Sequence, residues 1–473
     1  MKVLADYPNF YIARLVLETR TPLSISAGRG DGVFDTVLVR DVNSLPALPG
    51  SSIAGVLRHL YQYNYADQST QALFGSADLN HERPSQVHVS WGCLHDSHNQ
   101  PIEGLILDQY RLMDDPLLSD ALQLTPIVRD HVRLTHRGTA AEQAQFDRTS
   151  LRAGHRFTVE LSLWSNKQKD KRWENLLALL NRPDFRLGGA TRRGLGALGV
   201  VSLQASKFNL KNANDFAAYQ RLSNKLADSH ELTEKTLAET ATFPQASISL
   251  TPREGYRFGQ GTEPFFSEEK ADLLPVREQK VVWNNNKGFL TDDRYVVIPA
   301  SGVKGALRHR VAFHYNALNG YFADSPATEP NKNSNKAANN AVTTLFGFAK
   351  EKSGGQVGHM VLDDLYIRPK PEQAFLLMHN GVDRFTGGVR EHMLFNEELV
   401  GQKTPIELSL TVITHPENAA MNEPTVRDAL AMTLADLVEG RLALGAGGGR
   451  GGYGYFKGSI KWSDEGAWIQ GKP

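Results

Sequence analysis

The sequence predicts an α+β fold that occurs twice, with one sandwich of helices on a sheet in each half of the 473-residue chain. Three observations support this prediction. Several motifs occur twice in the same order, each half opens with a strand-like alternation of apolar and polar residues, and each half continues through helix, strands, helix and strand. This order is typical of two tandem ferredoxin-like or RNA-recognition-like domains.

Five pairs of segments repeat in the same order along the two halves. The clearest pair is LPGSSIAGVLRH at 48–59 and IPASGVKGALRH at 298–309. The others, in chain order, are ALFGS from Ala72 with TLFGF from Thr344, VRLT at 132–135 with DRFT at 383–386, VELSL at 159–163 with IELSL at 406–410, and LGGATRRGLG from Leu187 with LGAGGGRGGYG from Leu444. Chance does not readily produce five ordered pairs, so we interpret the chain as one ancestral domain duplicated.

The repeats divide the chain into two domains and a connector. The first domain covers residues 1–205, the second covers 245–473, and the connector at 206–244 is rich in Lys, Asn, Ala and Glu. Apolar residues at helical spacing between Asp215 and Ala227 predict a helix inside the connector.

Each copy contains the same predicted elements. The first strand is expected at Tyr11–Glu18 and Ala246–Leu250, where apolar and polar residues alternate. The repeated motif then begins a helix, because proline and serine are common at helix starts. One apolar face of the first such helix contains Ile53, Val56, Leu57, Leu60 and Tyr61. The later elements are the strands VELSLW and IELSLTV, the helices at 173–180 and 426–437, and the strands GALGVVSLQ and YGYFKGSIKW.

Composition restricts the classes of function. Lys+Arg 52 equals Asp+Glu 52, which argues against coating nucleic acid by summed charge but leaves room for a locally basic groove. Cys93 is the only cysteine, so disulfides within the chain and thiolate-rich metal sites are excluded. No signal peptide or apolar run near the ~18 residues of a membrane span is found. We therefore expect a cytoplasmic protein with no membrane partner.

The start of the repeated helix is a candidate phosphate site, because backbone N–H groups in the first turn of a helix attract anions. Its candidate RNA-binding residues are Ser51, Ser52 and Arg58 in copy one, and Ser301, Lys304 and Arg308 in copy two. The alternative is ordinary helix capping with solvated cations. Repetition of the hydroxyl and the arginine in both halves favours phosphate.

The glycine-rich loop before the last strand of each copy is a second candidate. Arg192, Arg193 and Arg450 add guanidinium groups to backbone amides that no Cβ shields. A dinucleotide site is excluded because too little chain follows the G-x-G-x-x-G at 449–454, and no Walker motif is present. The alternative is a tight turn that joins a helix to an edge strand.

A basic segment at 129–156 predicts a β-hairpin arm that contacts a polyanion. It interleaves arginines with histidine and phenylalanine, and Arg133 and Arg137 are its candidate RNA ligands. Arg384 is the candidate in the matching stretch, 383–403. A solvated hairpin without a ligand is the alternative.

A carboxylate after the first strand of each copy is a candidate catalytic group. The matched triplets are Asp35, Arg40 and Asp41, and Asp272, Arg277 and Glu278. Beside bound RNA, Asp35 or Asp272 could position a metal-bound water, orient a 2′-hydroxyl or accept its proton. A turn residue or an arginine partner is nearly as well supported. Copy two also has an insertion around VVWNNNKGFL.

With these motifs assembled, the chain resembles the RAMP superfamily, specifically the backbone subunits of type III CRISPR-Cas effector complexes. The motifs that carry the resemblance are PGSSIAGVLRH, PASGVKGALRH, LFGS, LFGF, FDTVLVRD, DRFTGG and the two glycine-arginine loops. Two such domains in one chain look like the fused backbone subunit of a type III-D variant. The resemblance implies an RNA-recognition-like palm and a protruding thumb hairpin in each copy.

The resemblance also implies a function. Such subunits line up along a CRISPR guide RNA, the thumb displaces a nucleotide of the target single-stranded RNA, and an aspartate cuts there with a divalent metal, expected to be Mg²⁺. By motif position that aspartate, and the metal ligand, is Asp35 in copy one and Asp272 in copy two. The implied partners are other RAMP subunits and the large cyclase/polymerase-like subunit.

Two alternative functions remain at this point. One is a structural filament subunit that does not cut RNA. The other is a CRISPR-transcript-processing endoribonuclease of the same superfamily, which also has tandem ferredoxin-like folds. One departure between the copies bears on both: Ala54 stands in copy one where copy two has Lys304.

Overall fold

The structure is a computed structural model that describes most of the chain. The described residues are 6–28, 36–65, 69–76, 83–124, 126–135, 139–238, 242–259, 261–264, 271–292, 294–321, 339–348, 355–401, 403–414, 418–446 and 451–471. They form two units: the first contains Met1–Thr191, Leu195–Ala241 and Lys280–Asp292, and the second contains Arg192–Gly194, Thr242–Gln279 and Asp293–Pro473. The domain boundaries at 205 and 245 stay a prediction.

The first unit contains a palm sheet, two palm helices and a hairpin. Its main elements are β1 (Asn9–Thr19), α1 (Gly50–Tyr65), β2 (Val87–Val89), β3 (Ile127–Leu134), β4 (Ala140–Ser150), β5 (Arg156–Ser165), α2 (Lys171–Ala178) and β6 (Leu198–Asn209). The palm sheet is antiparallel in the order β2-β5-β1-β6. With α1 and α2 as connections, this is the ferredoxin-like arrangement.

The second unit repeats the arrangement. Its main elements are β7 (Gln245–Pro252), α3 (Ala300–Leu318), β8 (Met360–Leu362), β9 (Ala374–Val382), β10 (Val389–Gly401), β11 (Ile406–Val412), α4 (Pro424–Val438) and β12 (Phe456–Trp462). The palm order is β8-β11-β7-β12, which matches the first unit strand for strand. The predicted fold class is confirmed.

Each palm has its own apolar core between the sheet and its helices. Alternate residues of the central strands face that core, such as Ala13 and Leu15 on β1 and Ile248 and Leu250 on β7. The predicted apolar face of α1 is present: Ile53, Leu57, Leu60 and Tyr61 are buried and Val56 is partly buried. Local periodicity therefore gave the correct core-facing residues.

The predicted thumb hairpins are present in both units. β3 pairs with β4, and β9 pairs with β10, in antiparallel register. Burial falls toward the tip of the second hairpin, where Val382, Phe385 and Val389 are 55%, 94% and 64% exposed. The tip therefore presents apolar side chains to solvent.

The connector forms a short helix, Ala213–Gln220, with Asn212 as its N-cap. This helix ends earlier than the predicted limit at Ala227. Beyond it, the carbonyl groups of Ser223 and Lys225 accept hydrogen bonds from the Arg14 guanidinium at 2.5 and 2.6 Å. These carbonyl groups thus find their partner in the sheet instead of in a continued helix.

The connector covers the outer face of the first palm sheet. The Phe10 ring centroid on β1 lies 4.6 Å from that of Trp164 and 5.2 Å from that of Tyr219 in the connector. On the same face, Arg14 forms an ion pair with Glu160 of β5 at 2.8 Å, with the Arg14 side chain only 4% exposed. Apolar packing and a buried ion pair therefore close this face.

The outer face of the second palm sheet is polar and exposed. On β7, Ser247 and Thr251 are exposed while the alternate residues are buried. Lys461 and Lys457 of β12 pair with these two serine and threonine positions and are exposed as well.

The insertion in the second copy forms a hairpin, Val281–Asn284 with Lys287–Leu290, which belongs to the first unit. The Val281 N–H donates to Ala153 O at 2.9 Å, and Trp283 Nε1 donates to Gly154 O at 2.7 Å. The Arg156 guanidinium stacks on the Trp283 ring, 4.2 Å from its centroid. A segment of the second half of the sequence thus completes the first unit.

The two palm helices of the second unit are joined by a buried carboxylate on α4, Asp436. Its oxygens accept hydrogen bonds from Arg310 Nε and, at 2.6 Å, from Arg441 Nε, and they lie 2.7 Å from His314 Nε2. Burial by itself raises the pKa of this carboxyl, but the three hydrogen bonds outweigh it and lower the pKa to about 2. Asp436 therefore stays ionised at neutral pH.

The remaining described elements are short. The helices and 3₁₀ turns are Ser69–Phe74, Gln109–Asp114, Pro116–Leu122, Leu179–Asn181, Thr191–Arg193, Asn340–Phe346, Pro371–Gln373 and Ala419–Asn422. The strands are Cys93–Leu94, Thr233–Glu234, Gly255–Tyr256, Arg277–Glu278, Tyr295–Ile298, Gly347–Phe348, Gln356–Val357 and Leu365–Ile367. Over the described ranges, we find no helix with the length and apolar character that crossing a membrane requires.

Candidate functional site

In the second unit, Asp272 lies beside the root of the thumb. Its N–H donates to Asn396 Oδ1 at 2.8 Å, and the Asn396 N–H donates to Asp272 Oδ2 at 2.9 Å. The chain continues along β10, where the Glu398 N–H donates to Leu273 O at 2.9 Å. Asp272 is nevertheless exposed. The predicted carboxylate is therefore held against the thumb and still reaches solvent.

In the first unit, Asp35 lies outside the described residues, but its neighbour Thr36 does not. Thr36 Oγ1 accepts a hydrogen bond from the Thr149 N–H of β4 at 3.2 Å. At the root of each thumb, Leu23 pairs with Leu151 in copy one and Tyr256 pairs with Val400 in copy two. Thr149 and Glu398 each lie two residues before the paired thumb residue, so they occupy corresponding positions. The residue after the predicted aspartate, Thr36 or Leu273, therefore forms a hydrogen bond with the same thumb position in both copies.

A buried carboxylate, Glu397, joins three segments next to Asp272. It is 2% exposed. Its oxygens accept hydrogen bonds from Arg257 Nε at 2.9 Å and Tyr453 Oη at 2.7 Å, and they lie 2.6 Å from His379 Nε2. These partners come from the segment after β7, the glycine-rich loop and the other strand of the thumb. The cluster fixes the root of the thumb to the palm.

Glu397 and its partners are not among the candidate residues predicted from the sequence. The available signal was an acid inside the strand sequence FNEELVG, where an unpaired charge would be costly. Burial, followed by the hydrogen bond to Glu397, raises the pKa of Tyr453, so its hydroxyl remains protonated and donates. In copy one, the position of Glu397 is occupied by Arg148, whose guanidinium donates to Ser24 Oγ at 3.4 Å.

The two glycine-rich loops are anchored by the same backbone hydrogen bonds. In copy one these are Leu187 N to Gly196 O (3.0 Å) and Gly189 N to Ser24 O (2.7 Å), and in copy two they are Leu444 N to Gly454 O (2.8 Å) and Ala446 N to Arg257 O (2.8 Å). A Cβ on Gly188 or Gly445 would lie 2.4 or 2.3 Å from a carbonyl oxygen, and both residues have a φ of 84°. These glycines are therefore required by packing.

The two repeated helices also begin alike. The carbonyl groups of Pro49 and Pro299 accept the first helical hydrogen bonds, from Ser52 N at 2.9 Å and Gly302 N at 3.0 Å. Ser51 is exposed, whereas Ser52 and Ser301 are half-buried. At the start of α3, the Asp364 carboxylate already accepts a hydrogen bond from the Ala300 N–H at 2.8 Å. An internal anion thus takes one of the donors that were predicted to bind phosphate.

Lys304 is buried, contrary to its expected role in phosphate binding. Its ammonium donates to Met360 O at 2.8 Å and to Arg192 O at 2.7 Å within the second unit. The charge therefore fastens the start of α3 to β8 and to the residues of the glycine-arginine loop. A phosphate contact would break these two bonds, so Lys304 is not an RNA ligand in the function proposed below. Ala54 of copy one has no such ammonium.

The remaining predicted arginines lie on several elements. Arg58 on α1, Arg133 on β3, Arg193, Arg308 on α3 and Arg384 at the tip of the second thumb are exposed, and Arg192 is half-buried. Arg137 and Arg450 lie outside the described residues. At the thumb tip, the Asp383 carboxylate accepts hydrogen bonds from Phe385 N at 3.0 Å and Thr386 N at 2.9 Å. This turn fixes the backbone that carries Arg384.

Each thumb contains a stacked His–Phe pair across its strands. The ring centroids of His131 and Phe146 are 5.2 Å apart, and those of His379 and Phe395 are 4.9 Å apart. In copy one, these two rings belong to the basic segment at 129–156. In the structure they stack on each other, and they stiffen the hairpin as cross-strand pairs.

Asp272 fits a divalent cation of the kind that the resemblance implies. Mg²⁺ usually takes one or two carboxylate oxygens and completes its shell with water and substrate phosphate oxygens. An exposed aspartate with one oxygen held by a backbone N–H offers such a ligand. Asp35, its predicted counterpart in copy one, lies outside the described residues.

Comparison with known families gives one match that covers both halves of the chain. The family model described as RAMPs, RAMP superfamily, matches residues 16–199 and 281–457. Among curated proteins, no match to the chain is found.

Proposed function

Because the chain belongs to the RAMP superfamily, we propose that it is the guide-RNA-binding backbone subunit of a type III CRISPR effector complex. Membership in the family implies a CRISPR-associated, RNA-binding subunit that associates with guide RNA and other Cas subunits. Within that complex, Asp35 and Asp272 cleave target RNA that is paired to the guide, in the cytoplasm. The large cyclase/polymerase-like subunit is a neighbour of the chain.

The position of Asp272 carries this proposal. Its exposed carboxylate lies at the root of the thumb, held by the reciprocal bonds with Asn396. A thumb that pushes one target nucleotide aside would release the RNA backbone from A-form geometry at this root. Positioning of that kind supplies much of the rate of a phosphoryl transfer.

The chemistry then needs few groups. The Asp272 carboxylate accepts the proton of the 2′-hydroxyl as that oxygen attacks the neighbouring phosphorus, and the bond from phosphorus to the 5′-oxygen breaks. The 5′-oxygen takes a proton from water, which leaves a 2′,3′-cyclic phosphate and a 5′-hydroxyl. A divalent cation, when bound, supplies positive charge beside the phosphate oxygens. Base pairing with the guide provides the sequence selectivity.

A structural, non-catalytic subunit is the second candidate function. The observation that favours it is the Asp272 Oδ2 bond to the Asn396 N–H, since a carboxylate used to fasten a loop needs no catalytic role. In that case Asp272 would stabilise the thumb root and leave RNA intact.

Substitution of Asp272→Asn separates the two candidates. The asparagine oxygen can still accept the hydrogen bond from Asn396, but it cannot accept a proton. In the assembled complex with guide-matched RNA, we expect Asp35→Asn and Asp272→Asn each to remove one set of products, with cutting at that site slowed by at least ~100-fold. EDTA should stop both cuts, and added Mg²⁺ should restore them.

Asp428→Asn, an exposed aspartate on α4, is the matched control and should cut normally. Guide binding, measured by a filter assay, should be the same for all three variants. Unchanged products from Asp272→Asn would leave the structural role as the function of this residue. Products with a 3′-hydroxyl would exclude the 2′-hydroxyl as the nucleophile.

A further inference from the structure

A cleft of about 540 Å³ lies in the first unit, between the loop at 96–98 and the helices Gln109–Asp114 and Pro116–Leu122. Its charged lining consists of four aspartates, one histidine and one arginine, namely Asp96, Asp108, Asp114, Asp115, His98 and Arg111. Over the described ranges, no lysine or arginine forms an ion pair with these aspartates. We call this surface the acidic cleft.

Backbone N–H groups hold three of the four carboxylates in place. The bonds run from Gln100 N to Asp96 Oδ1 at 2.9 Å, from Tyr110 N to Asp108 Oδ1 at 3.1 Å, and from Ser97 N to Asp115 Oδ2 at 2.9 Å. The negative charge of the acidic cleft is therefore fixed in position before any ligand arrives. Preorganised charge of this kind favours a partner of opposite sign.

Tyr110 lines the acidic cleft, and the chain around it carries further large apolar side chains that are exposed. Leu105, Leu107, Tyr110 and Met113 are 60%, 87%, 78% and 60% exposed. Residues three and four positions apart share one face of a helix, so Tyr110, Met113 and Asp114 point the same way. Leu112 supplies the buried side of this helix. Exposed apolar and acidic groups therefore occur together on one side of this helix.

We infer that the acidic cleft docks a basic amphipathic segment of a neighbouring protein subunit. RNA is a poor occupant, because its phosphates would meet four aspartates. Exposed apolar groups in such number mark a protein contact, and the fixed negative charge selects lysine or arginine on the partner. The family implies protein neighbours in the assembly. This inference goes beyond the proposed function and does not depend on RNA cleavage.

A synthetic helical peptide that repeats leucines on one face, flanked by lysine and arginine, tests the inference with the full-length chain. We expect saturable binding in a calorimeter in the absence of RNA. Tyr110→Ser with Asp114→Asn should weaken it about tenfold, and added salt should weaken it further. Both side chains are exposed, so the melting temperature should not change.

The matched control is Met432→Ser with Asp428→Asn, which removes an exposed apolar residue and an acid four positions apart on α4. It should bind the peptide like the unsubstituted chain. A peptide with the same composition but leucines spread around the helix, or with glutamate in place of the cations, should not bind. Equal binding by either peptide, or no effect of the Tyr110 and Asp114 substitutions, would overturn the inference.

A cation is the other possible occupant, because ligand atoms of Asp96, His98 and Asp115 lie within 4.8 Å of one another. Saturable Mn²⁺ binding that Asp115→Asn abolishes would assign the acidic cleft to a metal and reject a protein partner. In the assembled complex, a photo-crosslinking amino acid at position 113 should attach to a basic segment of a protein subunit. Attachment to guide RNA alone would contradict the inference.

Discussion

The two palm sheets share one strand order, but their outer faces differ: one is covered by chain and the other is polar and exposed. In the first unit this face holds Phe10 and the ion pair of Arg14 with Glu160, all covered by the connector. In the second unit it holds exposed residues such as Ser247 and Lys461. The core-facing pattern is alike in both copies, because each sheet packs on its own two helices. The polarity of the outer face instead depends on whether another segment of the chain packs against it.

The chemistry of the two outer faces affects where RNA can be bound. An RNA-recognition sheet binds bases by stacking them on aromatic side chains of its open face. The aromatic rings of the first outer face are engaged with Tyr219 of the connector. The described outer positions of the central strand of the second sheet are glutamine, serine and threonine, none of them aromatic. RNA contacts in both units are therefore expected on thumbs and loops instead of on the sheet faces.

The largest expected effect is that of Arg14→Ala. It leaves the partly buried Glu160 carboxylate and several connector carbonyl groups without their donor, so we expect the first unit to lose about 4 kcal/mol of unfolding free energy. Urea denaturation followed by tryptophan fluorescence measures this. The control, Lys457→Ala on the outer face of the second sheet, should change stability by less than about 0.5 kcal/mol. Similar losses from both substitutions would contradict the difference between the faces.

Phe10→Ala is expected to destabilise the first unit by about 3 kcal/mol, because it opens a cavity between the sheet and the connector. The control at an outer position of β7, Ser247→Ala, should have almost no effect. The same denaturation experiment applies. A loss below about 1 kcal/mol for Phe10→Ala would mean that the connector does not depend on this contact.

Asp436 joins the two palm helices of the second unit and should contribute to the stability of that unit. We expect Asp436→Asn to cost about 2 kcal/mol at pH 7, because three donors lose a charged partner. The folded-state pKa is lowered to about 2, so the stabilisation is complete above the unfolded pKa near 4 and is lost as pH falls toward 2. Denaturation at a series of pH values should show the two proteins converging only below about pH 4. Convergence at pH 6 would exclude this mechanism.

The smallest expected effect is that of Glu103→Gln. The Glu103 carboxylate accepts hydrogen bonds from the Leu226 and Ala227 N–H groups at 2.9 and 3.2 Å, and so fastens the end of the connector. Loss of the charge should weaken these bonds by about 1 kcal/mol, and exchange of the two amide hydrogens should become roughly fivefold faster. Exchange at Ile248, in the core of the second sheet, should stay unchanged. A faster exchange there as well would point to global destabilisation.

Much of the fold could be predicted because its signals are local. The strands VELSLW and IELSLTV and the apolar face of α1 are periodic patterns within a few turns of chain. The connector helix shows the limit of this reasoning. Apolar spacing continues to Leu226, but the helix ends at Gln220, because Arg14, far away in sequence, takes the carbonyl groups that follow. Such long-range hydrogen bonds cannot be recognised from the periodicity of the local sequence.

The candidate site was predictable to a similar extent. The repeat alignment singled out Asp272, and its neighbour at the thumb root, Asn396, could not be found because their contact joins segments distant in sequence. Lys304 was expected to bind phosphate because its charge lies one turn from the start of a repeated helix, where backbone N–H groups attract anions. A lysine ammonium can be buried only where carbonyl groups lie close enough to accept its hydrogen bonds, and here Met360 O is such an acceptor.

The hairpin Val281–Asn284 with Lys287–Leu290 has a consequence for the synthesis of the chain. It fills a place in the first unit beside Ala153 and Gly154, yet the ribosome makes it only after the connector and the opening strand of the second palm. When only the chain up to the connector has emerged, the first unit therefore still lacks this hairpin. Emergence of the chain up to residue 290 is the step that completes it, so the first unit finishes folding only while the second half is being made.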